Sequence, residues 1–137
     1  MTTVIGSNAP PRLQEFAAED FVIAGFVQDV TPFYDNAKLS FSPLRYGAGV
    51  KGKVNIAMQY GVPVVATSPS VEGMYLRHEQ DVLTADTAEA FADAMIRLNT
   101  DRDLWETLRA NGLTNIETHF SRTAARQALK DIVGLAS

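Results

Sequence analysis

The chain has 137 residues, 46% hydrophobic and 20% charged, with a net charge of −4 at pH 7. That length is one domain's worth, enough to bury a core without disulfides or metals. The acidic balance argues against a general nucleic-acid binder, and the absence of cysteine removes disulfides, thiol nucleophiles and thiolate metal sites.

The N-terminus lacks the basic region and long apolar stretch of a signal peptide. It reads as a strand that starts at once, so we take the chain to be cut inside a structural unit. Thr3 to Ile5 is a β-rich run closed by Gly6, and the loop after it leads to Pro10-Pro11, which can open a short helix through about Ala17. Phe21-Val22-Ile23 is a second strand, ended by Gly25. Thr31-Pro32 reads as the cap and first turn of a short helix through Asn36. Leu39 to Phe41 is a third strand, stopped by Pro43. Val50 to Tyr60 is a helix with Gly61 as its C-terminal glycine. Pro63 to Thr67 is a fourth strand, apolar on both faces as a covered parallel sheet requires, and Asp81 to Thr84 is a fifth.

Beyond that point the pattern is helical. Asp86-Thr87-Ala88-Glu89 resembles a capping box, followed by Phe91, Met95, Ile96 and Leu98 at helical spacing. Asp101 opens a helix with Leu104, Trp105, Leu108 and Leu113 on its apolar side. Ser121 caps a last one, with Ala125, Leu129, Ile132 and Val133 inward. Strands alternating with helices predict an α/β fold, a doubly wound parallel sheet with C-terminal helices packed outside it. No apolar run approaches the ~20 residues needed to span a bilayer.

In such sheets ligands bind at the carboxyl ends of strands. The strongest loop there is Pro43 to Lys53. Gly47 and Gly49 let the backbone approach a ligand, the helix that follows offers free N–H groups, and Arg45, Lys51 and Lys53 add cations. That combination suits a diphosphate; the bland reading is a tight turn with solvated lysines. The second loop is Thr67 to Gly73, where hydroxyls and Glu72 suit sugar or phosphate oxygens. Physics alone favours Ser70 as the cap of a short helix with Glu72 in its first turn. The third is Gly25 to Asp29, where Phe26 and Val27 either wall a base-binding slot or, as physics favours, join the core. Trp105, Met58, Met74 and Met95 read as core, and His119 and Phe120 as capping or packing residues between helices. No Ser/His/Asp constellation or metal-ligand spacing stands out.

The ordered set Gly25-Phe26-Val27-Gln28-Asp29, Pro43-Leu44-Arg45, Gly47 to Val54, Ala57-Met58, Gly61 to Thr67 and Glu72-Gly73 resembles family 4 (group 1) glycosyltransferases over nearly the whole chain. The resemblance implies the Rossmann-like, C-terminal, donor-binding half of a two-domain GT-B fold. It implies residues 1–137 as a single nucleotide-sugar-binding domain truncated at its N-terminus, with the N-terminal acceptor domain absent. It also implies retaining transfer from a nucleotide diphosphate sugar to an acceptor hydroxyl, with no cofactor beyond that donor and no metal. The resemblance further implies a cytoplasmic location, with any peripheral membrane contact through the missing domain. The donor residues implied are Arg45, Gly47, Ala48, Gly49, Val50, Lys51 and Lys53 at the phosphates, Glu72 and Gly73 near sugar or diphosphate, and Phe26 and Val27 near the base; no catalytic residue is assigned.

The chain departs from the family pattern in two ways. Family members often carry two glutamates eight positions apart, for the donor sugar and the ribose; here Ala48 and Ile56 stand there. Members with a glycine-lysine loop like this one often lack the first but usually keep the second. Asn55 neighbours Ile56 but lies about 100° around a helix. The strand, helix and basic residue that normally open the domain are missing as well. The departures leave open a noncatalytic binding or scaffold module that lost the ribose glutamate. A phosphorylated receiver would need an aspartate at a central strand end, where Pro43 and Thr67 stand. A sugar-nucleotide epimerase of the same architecture fits the glycine-lysine loop less well.

Overall fold

The computed structural model describes residues 1–134. In chain order they form β1 (Thr2–Ile5), α1 (Pro11–Gln14), β2 (Phe21–Gly25), α2 (Thr31–Asp35), β3 (Ser40–Ser42), α3 (Gly52–Gln59), β4 (Val64–Ala66), α4 (Ser68–Val71), β5 (Leu83–Thr84), α5 (Ala88–Thr100), α6 (Arg102–Asn115) and α7 (Arg122–Val133), with a π-helical turn at Ile116–Phe120 between the last two. They divide into two compact units, Met1–Phe33 and Tyr34 onward.

In the first unit β1 and β2 run parallel, Thr2 opposite Phe21 and Val4 opposite Ile23, with an irregularity before Ile5. Gly25 is the last residue of β2, not a terminator beyond it, and its φ of 68° turns the chain out of the strand. The helix expected to reach Ala17 is a single turn ending at Gln14. Asp29 caps the start of α2: its Oδ1 accepts from the Thr31 amide at 2.9 Å.

In the second unit β3, β4 and β5 form a parallel sheet in that order. Successive residues of a strand face opposite sides, and β4 divides accordingly. Val64 and Ala66 join Val54, Ala57, Met58, Val62, Met74, Val82 and Ile116 on one side. Val65 joins Leu83, Leu98 and Leu108 on the other, with Phe91, Met95, Leu104 and Trp105 packed around them. Helix α3 thus covers one face and α5 and α6 the other, which is the doubly wound arrangement the sequence predicts. The Trp105 indole also donates to the Lys38 carbonyl at 2.6 Å.

Gly61 ends α3 as expected. Its φ is 67°, its amide donates to the Met58 carbonyl, and the Val62 amide reaches back to Ala57, a Schellman closure. Thr87, Asp101 and Ser121 each accept an amide from the first turn of α5, α6 and α7. The capping box expected over Asp86 to Glu89 is not made: the cap residue of α5 is Thr87, and Asp86 acts elsewhere, as described below. Strand β5 begins at Leu83; Asp81, expected to open it, is buried and paired with Arg77 at 3.0 Å.

Three apolar expectations fail. Ile96 is 62% exposed and Leu113 37%. On α7, Ala125, Leu129, Ile132 and Val133 all lie exposed, and the helix buries no residue. Helix α7 follows the π-helical turn and packs chiefly against it, so its apolar stripe has no sheet beneath it.

Candidate functional site

Three strand ends of the second unit are tied together by side chains. Ser70 is fully buried. Its hydroxyl donates to the Ser42 carbonyl at 2.7 Å, receives the Leu44 amide at 3.3 Å, and lies 2.9 Å from the Thr67 hydroxyl. Thr67 donates in turn to the Leu44 carbonyl. The root of the glycine loop is therefore fastened to the segment leaving β4. Ser70 is not the cap of a helix, as expected, but sits inside α4, and Glu72 follows that helix instead of lying in its first turn.

The third strand end joins through Asp86. The Ser68 amide and hydroxyl donate to its two carboxylate oxygens at 2.7 and 2.6 Å. The hydroxyl bond first, then the amide bond, hold the Asp86 carboxyl below its ordinary pKa. The carboxylate thus occupies the amino end of α4, where negative charge is favoured.

The glycine loop is built differently. Arg45 to Val50 are all exposed. Gly47 and Gly49 have φ of 140° and 81°, values that glycine adopts readily and other residues seldom do. Helix α3 starts at Gly52, two residues later than expected, with Lys51 as its cap residue. Lys51 is only 9% exposed, and its ammonium folds back to donate to the Gly49 carbonyl at 2.6 Å. A Cβ on Gly47 would lie 3.3 Å from Lys51 Cε, so that glycine makes room for the lysine stem. Lys51 therefore braces the loop from within, and Arg45 and Lys53 are the exposed cations.

A lysine side chain has no acceptor, so no side chain caps α3. The Val54 and Asn55 amides reach the Lys51 carbonyl at 3.0 and 3.3 Å. The amides of Gly52 and Lys53 precede the first residue with a helical acceptor. These two donors stand at the positive end of the helix, whereas α4 already holds its own carboxylate. Ile56 lies 38% exposed on the same helix. Asn55 keeps a buried Oδ1 without a hydrogen-bond partner.

Glu72 and Gly73 line a cavity of about 510 Å³ together with Ser68, Pro69 and Tyr75. The structure thus gathers Glu72 and Gly73 at one cavity and Arg45 to Lys53 along one loop and helix start, with both segments pinned through Ser70. Phe26 and Val27 belong to the first compact unit. Phe26 is 77% exposed and does not join a core; Val27 is half-buried. Ser42, Ser70 and Asp86 were not foreseen as a group. Their cross-links depend on the register of β3 against β4 and β4 against β5, which spacing along the chain does not carry.

A family model described as glycosyl transferases group 1 matches residues 2–101. The fold is similar to that of sucrose-phosphate synthase from Thermosynechococcus elongatus, at 21% identity and a TM-score of 0.75 over 98% of this chain and 39% of that one. It is similar also to HepE of Anabaena solved with UDP, at 19% identity and a TM-score of 0.74 over 97% of this chain and 40% of that one. A third is the C-terminal domain of a glycosyl transferase group 1 protein, LpcC, from Francisella tularensis, at 16% identity and a TM-score of 0.66 over 76% of this chain and 55% of that one. The chain thus spans between 39% and 55% of these structures, and no curated protein sequence matches it. Among the described residues no helix is long and apolar enough to cross a membrane. With the family model matched over most of its length, on a doubly wound parallel sheet shared with these GT-B enzymes, the chain belongs to the group 1 glycosyltransferases.

Proposed function

We propose that this chain is the donor-binding half of a retaining glycosyltransferase of the cytoplasm, a single functional domain over residues 1–137 that works with an acceptor-binding domain outside it. The observation that carries the reading is the start of α3. Two amides without helical acceptors stand beside a glycine loop braced by Lys51, with Lys53 exposed at the same point. Fixed dipoles and a cation there stabilise a diphosphate as negative charge grows on it.

In this reading Gly47, Ala48, Gly49 and Val50 present backbone to the diphosphate, and Arg45 and Lys53 add charge. Lys51 acts by holding the loop. Glu72 and Gly73 face the sugar. The bond from the anomeric carbon to the diphosphate oxygen breaks, and the acceptor hydroxyl oxygen forms the new bond on the same face. The hydroxyl proton leaves with the departing nucleoside diphosphate or to solvent. The proposal includes no metal or further cofactor.

A second reading is favoured by Ile56, an exposed apolar side chain where the family usually carries the ribose-binding glutamate: a noncatalytic binding or scaffold module. Calorimetry with UDP, GDP and their sugar conjugates separates the two. Donor binding that weakens in Lys53→Ala and tightens in Ile56→Glu supports the enzyme. No binding by this chain, nor by a form with an acceptor domain restored, supports the scaffold. The chain alone is expected to transfer no sugar, and a measurable rate from it would refute that assignment of the acceptor site.

A further inference from the structure

Tyr75 is the most unusual residue of the second unit. It is not glycine, yet its φ is 60°, a left-handed conformation that carries strain for a bulky side chain. Its ring is 68% exposed. One face is covered by His119, whose ring lies 4.2 Å away and 12° from parallel. Phe120 meets it at a tilt, 6.4 Å between centroids. His119 and Phe120 are presented by the π-helical turn, which interrupts the run from α6 into α7. Such turns are rare and frequent at functional sites. A ring so exposed, with one face stacked, has its other face open.

Tyr75 lines the open 510 Å³ depression that also holds Glu72 and Gly73. The cavity's polar groups fall into two classes. Ser68 is committed to Asp86 through both its amide and its hydroxyl. The Glu72 carboxylate and the Tyr75 hydroxyl have no hydrogen-bond or ion-pair partner among the described residues. An open aromatic face beside an uncommitted carboxylate matches a pyranose. The electron-rich ring face attracts the partly positive C–H hydrogens of the sugar's apolar face, and the carboxylate accepts from its hydroxyls.

We propose that Tyr75 is the wall on which the glycosyl ring of the donor stacks, and that His119 is the positioning residue that holds the phenol ring in place. The inference rests on the donor-binding reading above and adds the residue that senses the sugar. Because Tyr75 carries its ring on a left-handed backbone, Tyr75→Gly removes the ring while relieving the backbone, so loss of folding does not confound it.

The test compares the chain with Tyr75→Gly and Tyr75→Phe by calorimetry against UDP, UDP-glucose, GDP and GDP-mannose. The ratio of conjugate to bare diphosphate affinity falls about tenfold in Tyr75→Gly, with the diphosphate affinity unchanged, and is kept in Tyr75→Phe. An unchanged ratio overturns the proposal, as does an equal loss for both ligands. A second readout uses the fact that the chain has two histidines, so the His119 ring protons are resolvable by NMR. Glucose or mannose shifts them in the parent chain and in Tyr75→Phe, and not in Tyr75→Gly. If no nucleotide binds, to this chain or to a form with an acceptor domain restored, the donor reading falls. The monosaccharide titration still judges Tyr75, and no shift of the His119 protons overturns its role.

Discussion

Ser70 shows how much one hydroxyl can organise. It has a single proton and two lone pairs: the proton goes to the Ser42 carbonyl, and the lone pairs receive the Leu44 amide and the Ser42 hydroxyl. Ser70→Ala would leave the Leu44 amide without its acceptor, while the Ser42 carbonyl keeps the Thr67 amide. We expect a loss of about 1–3 kcal/mol in chemical denaturation, the desolvation cost of one orphaned group. The sequence made Ser70 visible but misassigned it, because a serine after a strand scores as a cap whenever nothing shows what lies across the sheet. Lys51 shows a different limit. Its spacing beside glycines marked it as a phosphate ligand, whereas its ammonium is turned onto the Gly49 carbonyl. Charge and spacing were legible; direction was not, because direction follows from the room Gly47 leaves for the lysine stem.

Among the elements, α3 and α4 set the polarity of the site. Gly61 closes α3 in the left-handed region, and a Cβ there would come within 3.0 Å of Arg109 Nε. Gly61→Ala should therefore cost about 1–2 kcal/mol, read as a lowered thermal midpoint. This glycine was identified from sequence because helix termination is local chemistry. The link between α4 and the end of β5 is not local, and it is sensitive to acid. Asp86 has a carboxyl pKa lowered from 3.8, so its contribution to stability is complete above that ordinary value and is lost as pH falls through the lowered one. Denaturation curves at pH 7 and pH 3 should show a larger loss for the parent chain than for Asp86→Asn, which has no proton to gain there. Equal losses would show that the Ser68–Asp86 contact does not stabilise the fold.

The two compact units differ in how they are built. Residues 1–33 contain no fully buried side chain, and a two-stranded pair is marginal by itself. Strand β4 has neighbours on both edges and cores on both faces, with Val65 and Ala66 fully buried. Hydrogen exchange should therefore show two tiers, with the amides of β1 and β2 exchanging well before those of β4; a single uniform tier would show that the units open together. The alternation of strands and helices, the apolar fourth strand and the three helix caps were readable because each is written in a few adjacent residues. The exposure of Leu129, Ile132 and Val133 was not, since a helical stripe announces an apolar face without saying what meets it.

The inward turn of Lys51 has a consequence for ionic strength. A binding loop that relied on three solvent-facing cations would lose its grip as salt screened them. Here one of the three is sheltered from solvent and held against the loop itself, while the amides at the start of α3 are dipoles fixed in place. Affinity for a diphosphate should accordingly decline only gently as sodium chloride is raised, with the remaining dependence traceable to Arg45 and Lys53.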